Sequence, residues 1–200
     1  MLSSPLLQPV QALDNVPYEP SQAVAAVWQP YAQVAPAIDP PTLDWLFDQG
    51  SLTRRLTALS QDRFDVVPLF EGWQALRDDE CTALGLAPGE QGWAREVYLR
   101  GREQPWVFAR SVASRRALVA GGLDLQHLGT RSLGEVLFCD QAFTRHPIEV
   151  CRYPEAWLPA PVQGPARWGR RSRFERDGLQ LLVAEVFLPA FWQAALEDTN

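Results

Sequence analysis

Between Trp168 and Pro189, apolar and polar side chains alternate along two arms joined by Asp177-Gly178. A tight primed turn needs positive φ at both central residues, so an Asp-Gly pair flanked by alternating segments predicts a β-hairpin. In its second arm, Leu179, Leu181, Val183, Glu185 and Phe187 share one face, and a single carboxylate stands in an apolar row. The opposite face, Gln180, Leu182, Ala184, Val186 and Leu188, is also largely apolar, which predicts a central strand covered on both sides. A carboxylate buried there has to be paired, or neutralised by a raised pKa.

The segment GWAREVYLRG alternates in the same way, with Trp93, Arg95, Val97 and Leu99 on one side, so Arg95 is a second lone charge on an apolar face. Gly101 to Gln104 turns this strand into PWVFARSVAS, a second hairpin. Upstream, Leu43, Leu46 and Phe47 recur at helical spacing up to Gly50. Ser51 then caps a short helix carrying Leu52, Leu56 and Leu59 inward. This pair reads as core rather than as a movable cover. Arg63 to Glu71 is a strand that Pro68 assigns to an edge or a bulge. From Trp73 to Gly89 the chain reads as loop with one short helix.

Ser114 to Leu128 has a helical pattern broken at Gly121-Gly122, and Ser132 with Glu135 has the capping-box spacing ahead of Leu133, Val136 and Leu137. Thr144 to Cys151 reads as a strand with Pro147 near its start. The four prolines between Tyr153 and Ala166 predict a surface loop, and the tail after Pro189 one or two helical turns. Connections of hairpin length cannot make parallel crossovers, so the fold class is α+β with a mainly antiparallel sheet. Residues 1–40, rich in Pro and Ala, read as a partly irregular arm, and residues 41–200 as a single domain.

Composition narrows the function. A net charge of -6 and a pI near 5.0 argue against a nucleic-acid surface. All 18 cations are arginine, which excludes Schiff-base and pyridoxal chemistry in their usual form, and the phosphate loop that needs a lysine. Cys81, Cys139 and Cys151 form no CxxC pair, and with His127 and His146 they make no zinc-ligand spacing. The cysteines read as small buried hydrophobes of a reduced compartment. The first residues show neither a secretory leader nor an apolar run long enough to span a bilayer.

Arg95 and Glu185 admit two readings: a structural ion pair with each other, or the two ends of a buried pocket in which an arginine fork grips a carboxylate while a glutamate handles a hydroxyl or ether oxygen. The run Arg167, Arg170, Arg171 and Arg173 is either an anion-binding strip or, more commonly for such runs, a solvated strand face. Arg170 shares its alternation with Trp168, Ser172 and Phe174 and is the one set to point inward.

Four blocks together resemble the chorismate pyruvate-lyase family: DWLFDQGSLTRRL (Asp44 to Leu56), WAREVYLRG followed by PWVFARSV, LGTRSLGEVLF (Leu128 to Phe138), and WGRRSRF followed by LLVAEVFLP. They occur in the family's order from about residue 40 onward. The resemblance implies conversion of chorismate to 4-hydroxybenzoate and pyruvate, the first committed step toward ubiquinone. It further implies a cytoplasmic monomer with no metal or cofactor, no nucleic-acid partner and no stable membrane insertion. The implied fold is a six-stranded, largely antiparallel sheet with helical flaps over a closed ligand cavity. By the same resemblance Arg95 and Glu185 are the catalytic pair and line the cavity, with apolar contacts from Leu52, where a methionine is familiar, and Leu133. A non-catalytic ligand-binding module of the same fold, of the kind attached to some transcription regulators, is the alternative.

Overall fold

The computed structural model describes residues 25–121, 128–134, 137, 143–165 and 167–197. Its frame is one antiparallel sheet. Six long strands, β2 (Phe64–Ala75), β3 (Gln91–Gly101), β4 (Gln104–Ser114), β6 (Glu149–Tyr153), β7 (Arg167–Arg176) and β8 (Leu179–Phe187), are joined by two-residue strands β1 (Gln29–Pro30) and β5 (Thr144–Arg145). The order across the sheet is β1-β6-β7-β8-β4-β3-β2, with β5 added to β7.

Both predicted hairpins form. Asp177 and Gly178 have φ of 49° and 81°, the positive pair that the β7–β8 turn requires. Strand β2 lies at the sheet edge, and its register on β3 slips between Pro68 and Phe70, where the missing N–H of proline interrupts the ladder. It runs on to Ala75, beyond the expected Glu71. Pro147 splits the strand expected over Thr144–Cys151 into β5 and β6.

After the four-residue helix α1 (Tyr31–Val34), helices α2 (Pro40–Phe47) and α3 (Leu52–Leu59) lie over one face of the sheet. The Asp39 carboxylate accepts from Thr42 N–H at 3.0 Å, and the Ser51 hydroxyl caps α3 as expected. Leu46, Leu52, Leu56 and Leu59 are buried against Val66, Val97, Leu99 and Phe187. The last helix, Pro189–Glu197, adds Phe191 and Ala194 to this cluster. Farther along the same face, Leu128, Leu133 and Leu137 pack on Ala113, Phe174 and Leu181. Of the pattern read as an interrupted helix, α5 (Arg115–Gly121) is described; Gly122, His127, Glu135, Val136 and Cys139 lie outside the described residues.

The opposite face carries α4 (Asp78–Leu84) and the segment expected to be a surface loop. That expectation is corrected. Two 3-10 turns, Glu155–Trp157 and Ala160–Val162, fold the proline-rich segment onto the sheet, and Trp157 and Leu158 are buried against Phe108, Tyr153 and Val186. Of the residues assigned to the arm, Met1 to Val24 lie outside the described residues. Trp28 donates to the Asp79 carboxylate at 2.8 Å, and Gln29–Pro30 pairs with Glu149–Val150.

Candidate active site

Strand register sets the site. Arg95 lies opposite Ser111, Ser111 opposite Val183, and Glu185 opposite both Ala109 and Arg170, so Arg95, Ser111, Val183, Glu185, Arg170 and Ser172 project from one face. Two inter-strand steps of ~4.8 Å and two residues of ~3.4 Å rise separate the Cα atoms of Arg95 and Glu185 by roughly 12 Å. They do not pair with each other, so the structural ion pair between them is excluded.

Arg95, 4% exposed, donates from Nε to Glu71 Oε1 at 2.5 Å and from Nη2 to the carbonyls of Gly129 at 2.6 Å and Arg131 at 3.1 Å. Glu185 accepts at Oε2 from Arg170 Nε at 2.7 Å. Arg170, 1% exposed, also donates from Nη1 to the carbonyls of Trp45 and Asp48 at 2.9 and 3.3 Å. The solvated-face reading of the arginine run is therefore corrected at Arg171, while Arg170 points inward as its alternation predicts. Arg170 is buried on the site face. Its neighbour Arg171 is buried on the other, where it holds Glu149 at 2.9 Å and Asp79 at 3.3 Å.

A third arginine, which the strand pattern does not reveal, completes this end. Arg145 donates to Ser172 Oγ at 3.0 Å and to the Gln49 carbonyl at 3.1 Å. Burial pulls it below the ordinary arginine value, to about 10, against the attraction of Glu185 that favours its charge. It remains a cation at neutral pH.

Apolar covers close over these groups. Leu52 and Leu137 meet Arg145, Arg170, Val183 and Glu185 around a void of about 20 Å³. Leu133, Leu128 and Leu181 meet Trp93, Arg95 and Ser111 around another of about 10 Å³. Leu52 thus belongs to the glutamate end and Leu133 to the arginine end. The covers touch each other through the Thr53 and Ser132 hydroxyls, 2.7 Å apart. At the turn between α2 and α3, burial would raise the Asp48 carboxyl, but the Gly50 N–H and Arg55 overcome it and hold it below the usual range. Among the described residues no three His, Cys, Asp or Glu side chains gather as metal ligands. Cys81 and Cys151 are buried, and burial pushes both thiols up.

The chain as a whole has relatives. Residues 22–196 match the family described as chorismate lyase. The chain belongs to the chorismate lyase family. It is 73% identical to a probable chorismate pyruvate-lyase 2 of Pseudomonas entomophila over 92% of this chain and 100% of that one. It is 62% identical to a probable chorismate pyruvate-lyase of Pseudomonas aeruginosa over 86% of this chain and 97% of that one. Among solved structures, the effector domain of PhnF from Mycobacterium smegmatis superposes with a TM-score of 0.51 at 14% identity. That match covers 72% of this chain and 91% of that domain, and the likeness is one of fold alone. No helix among the described residues is long and apolar enough to cross a membrane. Sequence patterning singles out Arg95 and Glu185 as charges on this covered face, while Arg145, Glu71 and the Thr53–Ser132 contact emerge from tertiary structure.

Proposed function

We propose that this chain is a chorismate pyruvate-lyase that eliminates enolpyruvate from chorismate to leave 4-hydroxybenzoate and pyruvate. The observation that carries the reading is the pair of separated charges, Arg95 and Glu185, at the two ends of one apolar, covered sheet face. Family membership supplies the substrate.

Chorismate has a ring carboxylate para to a hydroxyl and a second carboxylate on the enolpyruvyl ether beside that hydroxyl. Arg95 takes the ring carboxylate, in a charge-assisted bond. Glu185, ion-paired at Oε2 to Arg170, accepts the ring hydroxyl at Oε1. Arg145, on the same wall, is the group for the enolpyruvyl carboxylate. Leu52 and Leu133 close the apolar flanks.

The ether C–O bond breaks, the hydrogen on the hydroxyl-bearing ring carbon is lost, and the ring becomes aromatic while the released enolpyruvate takes up that hydrogen to become pyruvate. Aromatisation drives the step, so holding the ether chain over the ring supplies much of the catalysis. Glu185 already accepts from Arg170 at Oε2 and offers Oε1 as a further acceptor, an arrangement suited to orienting the hydroxyl during a concerted intramolecular transfer. On this reading the protein is a cofactor-free cytoplasmic monomer at the entry to ubiquinone synthesis, with residues 41–200 as the catalytic domain and residues 1–40 as a separate N-terminal segment.

Incubation with chorismate, with ultraviolet absorbance followed for 4-hydroxybenzoate and pyruvate assayed in parallel, tests the proposal. Equimolar appearance of both is the expected result. Tight binding of 4-hydroxybenzoate without turnover of chorismate would make the chain a ligand-binding module instead.

A further inference from the structure

The sheet has a second concave surface on the face turned away from Arg95 and Glu185. Glu96 and Tyr98 of β3 and Arg110 of β4 alternate with the site residues and so project to the other side. With the edge of β2, Arg77, and the 156–161 segment they enclose a pocket of about 690 Å³, within the range of small-molecule sites. Phe70, Trp157, Leu158 and Pro159 make its walls apolar.

The charges at its base are already matched. Arg110 donates to Glu80 at 2.6 and 3.0 Å and to Glu96 at 2.8 Å. With its amide oxygen turned to the guanidinium, Gln74 accepts from it at 2.7 and 3.0 Å. Arg77 donates to the Tyr153 hydroxyl at 2.6 Å and lies over the Trp157 ring at 4.5 Å. Two cations thus face two carboxylates, while Glu71, on the β2 edge of the pocket, turns its carboxylate to Arg95 on the other face.

Two polar groups in this lining are left over. The Tyr98 hydroxyl and the Nε–H of Arg77, the latter residue 6% exposed, are buried with neither a hydrogen-bond partner among the described residues nor access to solvent. Such groups cost free energy unless something accepts from them.

We propose that this pocket is a second ligand site, distinct from the chorismate cavity, and that it takes an uncharged, planar aromatic molecule bearing a carbonyl or hydroxyl oxygen. The ring lies against Phe70 and Trp157, and its entry shifts the lining so that the oxygen accepts from the Tyr98 hydroxyl or the Arg77 Nε–H, both shut off from solvent here. The matched charges give an anion nothing to neutralise, and the Glu96 carboxylate at the rim repels one. The site therefore selects against 4-hydroxybenzoate itself.

The probe is methyl 4-hydroxybenzoate, which has the ring and both oxygens but no carboxylate, titrated calorimetrically into the full chain. Tyr98→Phe removes one donor and lowers its affinity roughly two- to tenfold. Ala156→Trp, a change at an exposed position on the rim, fills the pocket and abolishes binding. Both variants keep the wild-type affinity for 4-hydroxybenzoate, and Arg95→Ala leaves the ester's affinity unchanged. Absence of ester binding at millimolar concentration overturns the proposal. So does displacement of the ester by 4-hydroxybenzoate, or loss of its binding in Arg95→Ala rather than in Tyr98→Phe and Ala156→Trp.

Discussion

Replacing Arg95 by alanine separates ligand recognition from structural support, because the two losses have different sizes and different partners. In the free protein the substitution removes the bond to Glu71 at 2.5 Å and those to the Gly129 and Arg131 carbonyls at 2.6 and 3.1 Å. Hydrogen bonds to charged groups contribute about 1.5–3 kcal/mol each when dry. Glu71 is 24% exposed and both carbonyls belong to exposed residues, so water recovers much of this. The expected loss of stability is about 2–4 kcal/mol, read as a lower urea midpoint.

On the proposed binding mode, a ligand carboxylate at the arginine end loses its Arg95 partner, at a cost of about 2–5 kcal/mol. At ~1.4 kcal/mol per decade this is roughly a 30- to 5000-fold rise in the Kd for 4-hydroxybenzoate. Calorimetric titration under folding conditions measures it. Glu71→Gln is the control: it keeps the cation and removes the competing carboxylate, so affinity is retained or improved. An Arg95→Ala Kd within threefold of wild type refutes the assignment. An equal loss in Glu71→Gln would trace the effect to β2–β3 packing instead of carboxylate recognition.

Glu185→Gln keeps an acceptor oxygen for the ring hydroxyl but breaks the ion pair with Arg170; turnover falls by roughly tenfold, the worth of about one hydrogen bond, with product binding kept. A loss above about a thousandfold in steady-state assays would instead mark Glu185 as a general acid. Thr53→Val deletes the hydroxyl contact to Ser132 between the covers, worth about 1 kcal/mol, and speeds 4-hydroxybenzoate release about fivefold in stopped-flow fluorescence; an unchanged rate would show that the covers do not part there. On the other face, burial would raise the Glu80 carboxyl, but Arg110 and Arg77 overcome it and hold it below its ordinary value. A depressed carboxyl contributes stability that is fully present above its unfolded pKa of about 4.3 and is lost as pH falls through the lower folded value. Thermal unfolding across acid pH should show this decline in wild type and its absence in Glu80→Gln, which is already destabilised at neutrality; parallel curves would refute the linkage.

Arg95 and Glu185 are visible in the amino-acid pattern because strand periodicity is a local rule that each of them breaks. Arg145 breaks none. It sits in a two-residue strand next to Pro147, with no alternation long enough to violate, and its burial comes from the Asp48–Gln49 turn laid on it from elsewhere in the chain. Arg171, beside the inward-set Arg170, looks like part of a solvated face for a related reason. Adjacent residues of a strand point to opposite sides, and when both sides are covered each needs its own distant acid, Glu185 for one and Glu149 with Asp79 for the other. Between Tyr153 and Ala166, prolines suggest exposure because they lack ladder donors. Here they frame short turns that seat Trp157 on Tyr153, ring centroids 5.5 Å apart. The helical covers read as core, and so they pack, with Leu52 and Leu56 buried; that they also roof a site depends on the charges beneath them.

Those charges bind the roof as well as the floor. Arg170 reaches the Trp45 and Asp48 carbonyls, Arg145 those of Asp48 and Gln49, and Arg95 those of Gly129 and Arg131, so the site arginines supply donors to the backbone of both covers. Voids of about 20 and 10 Å³ are far below the ~300 Å³ at the small end of ligand pockets, and a ring cannot enter without the covers moving. A substrate carboxylate that takes donors from Arg95 or Arg145 competes with those same carbonyls. Binding and loosening of the roof therefore draw on one set of guanidinium hydrogens, and the exchange of charged for neutral acceptors, each charge-assisted bond about twice as strong, sets the direction. A roof tied down by lysines would lack this: an ammonium has no planar fork to bridge carbonyl and carboxylate at once.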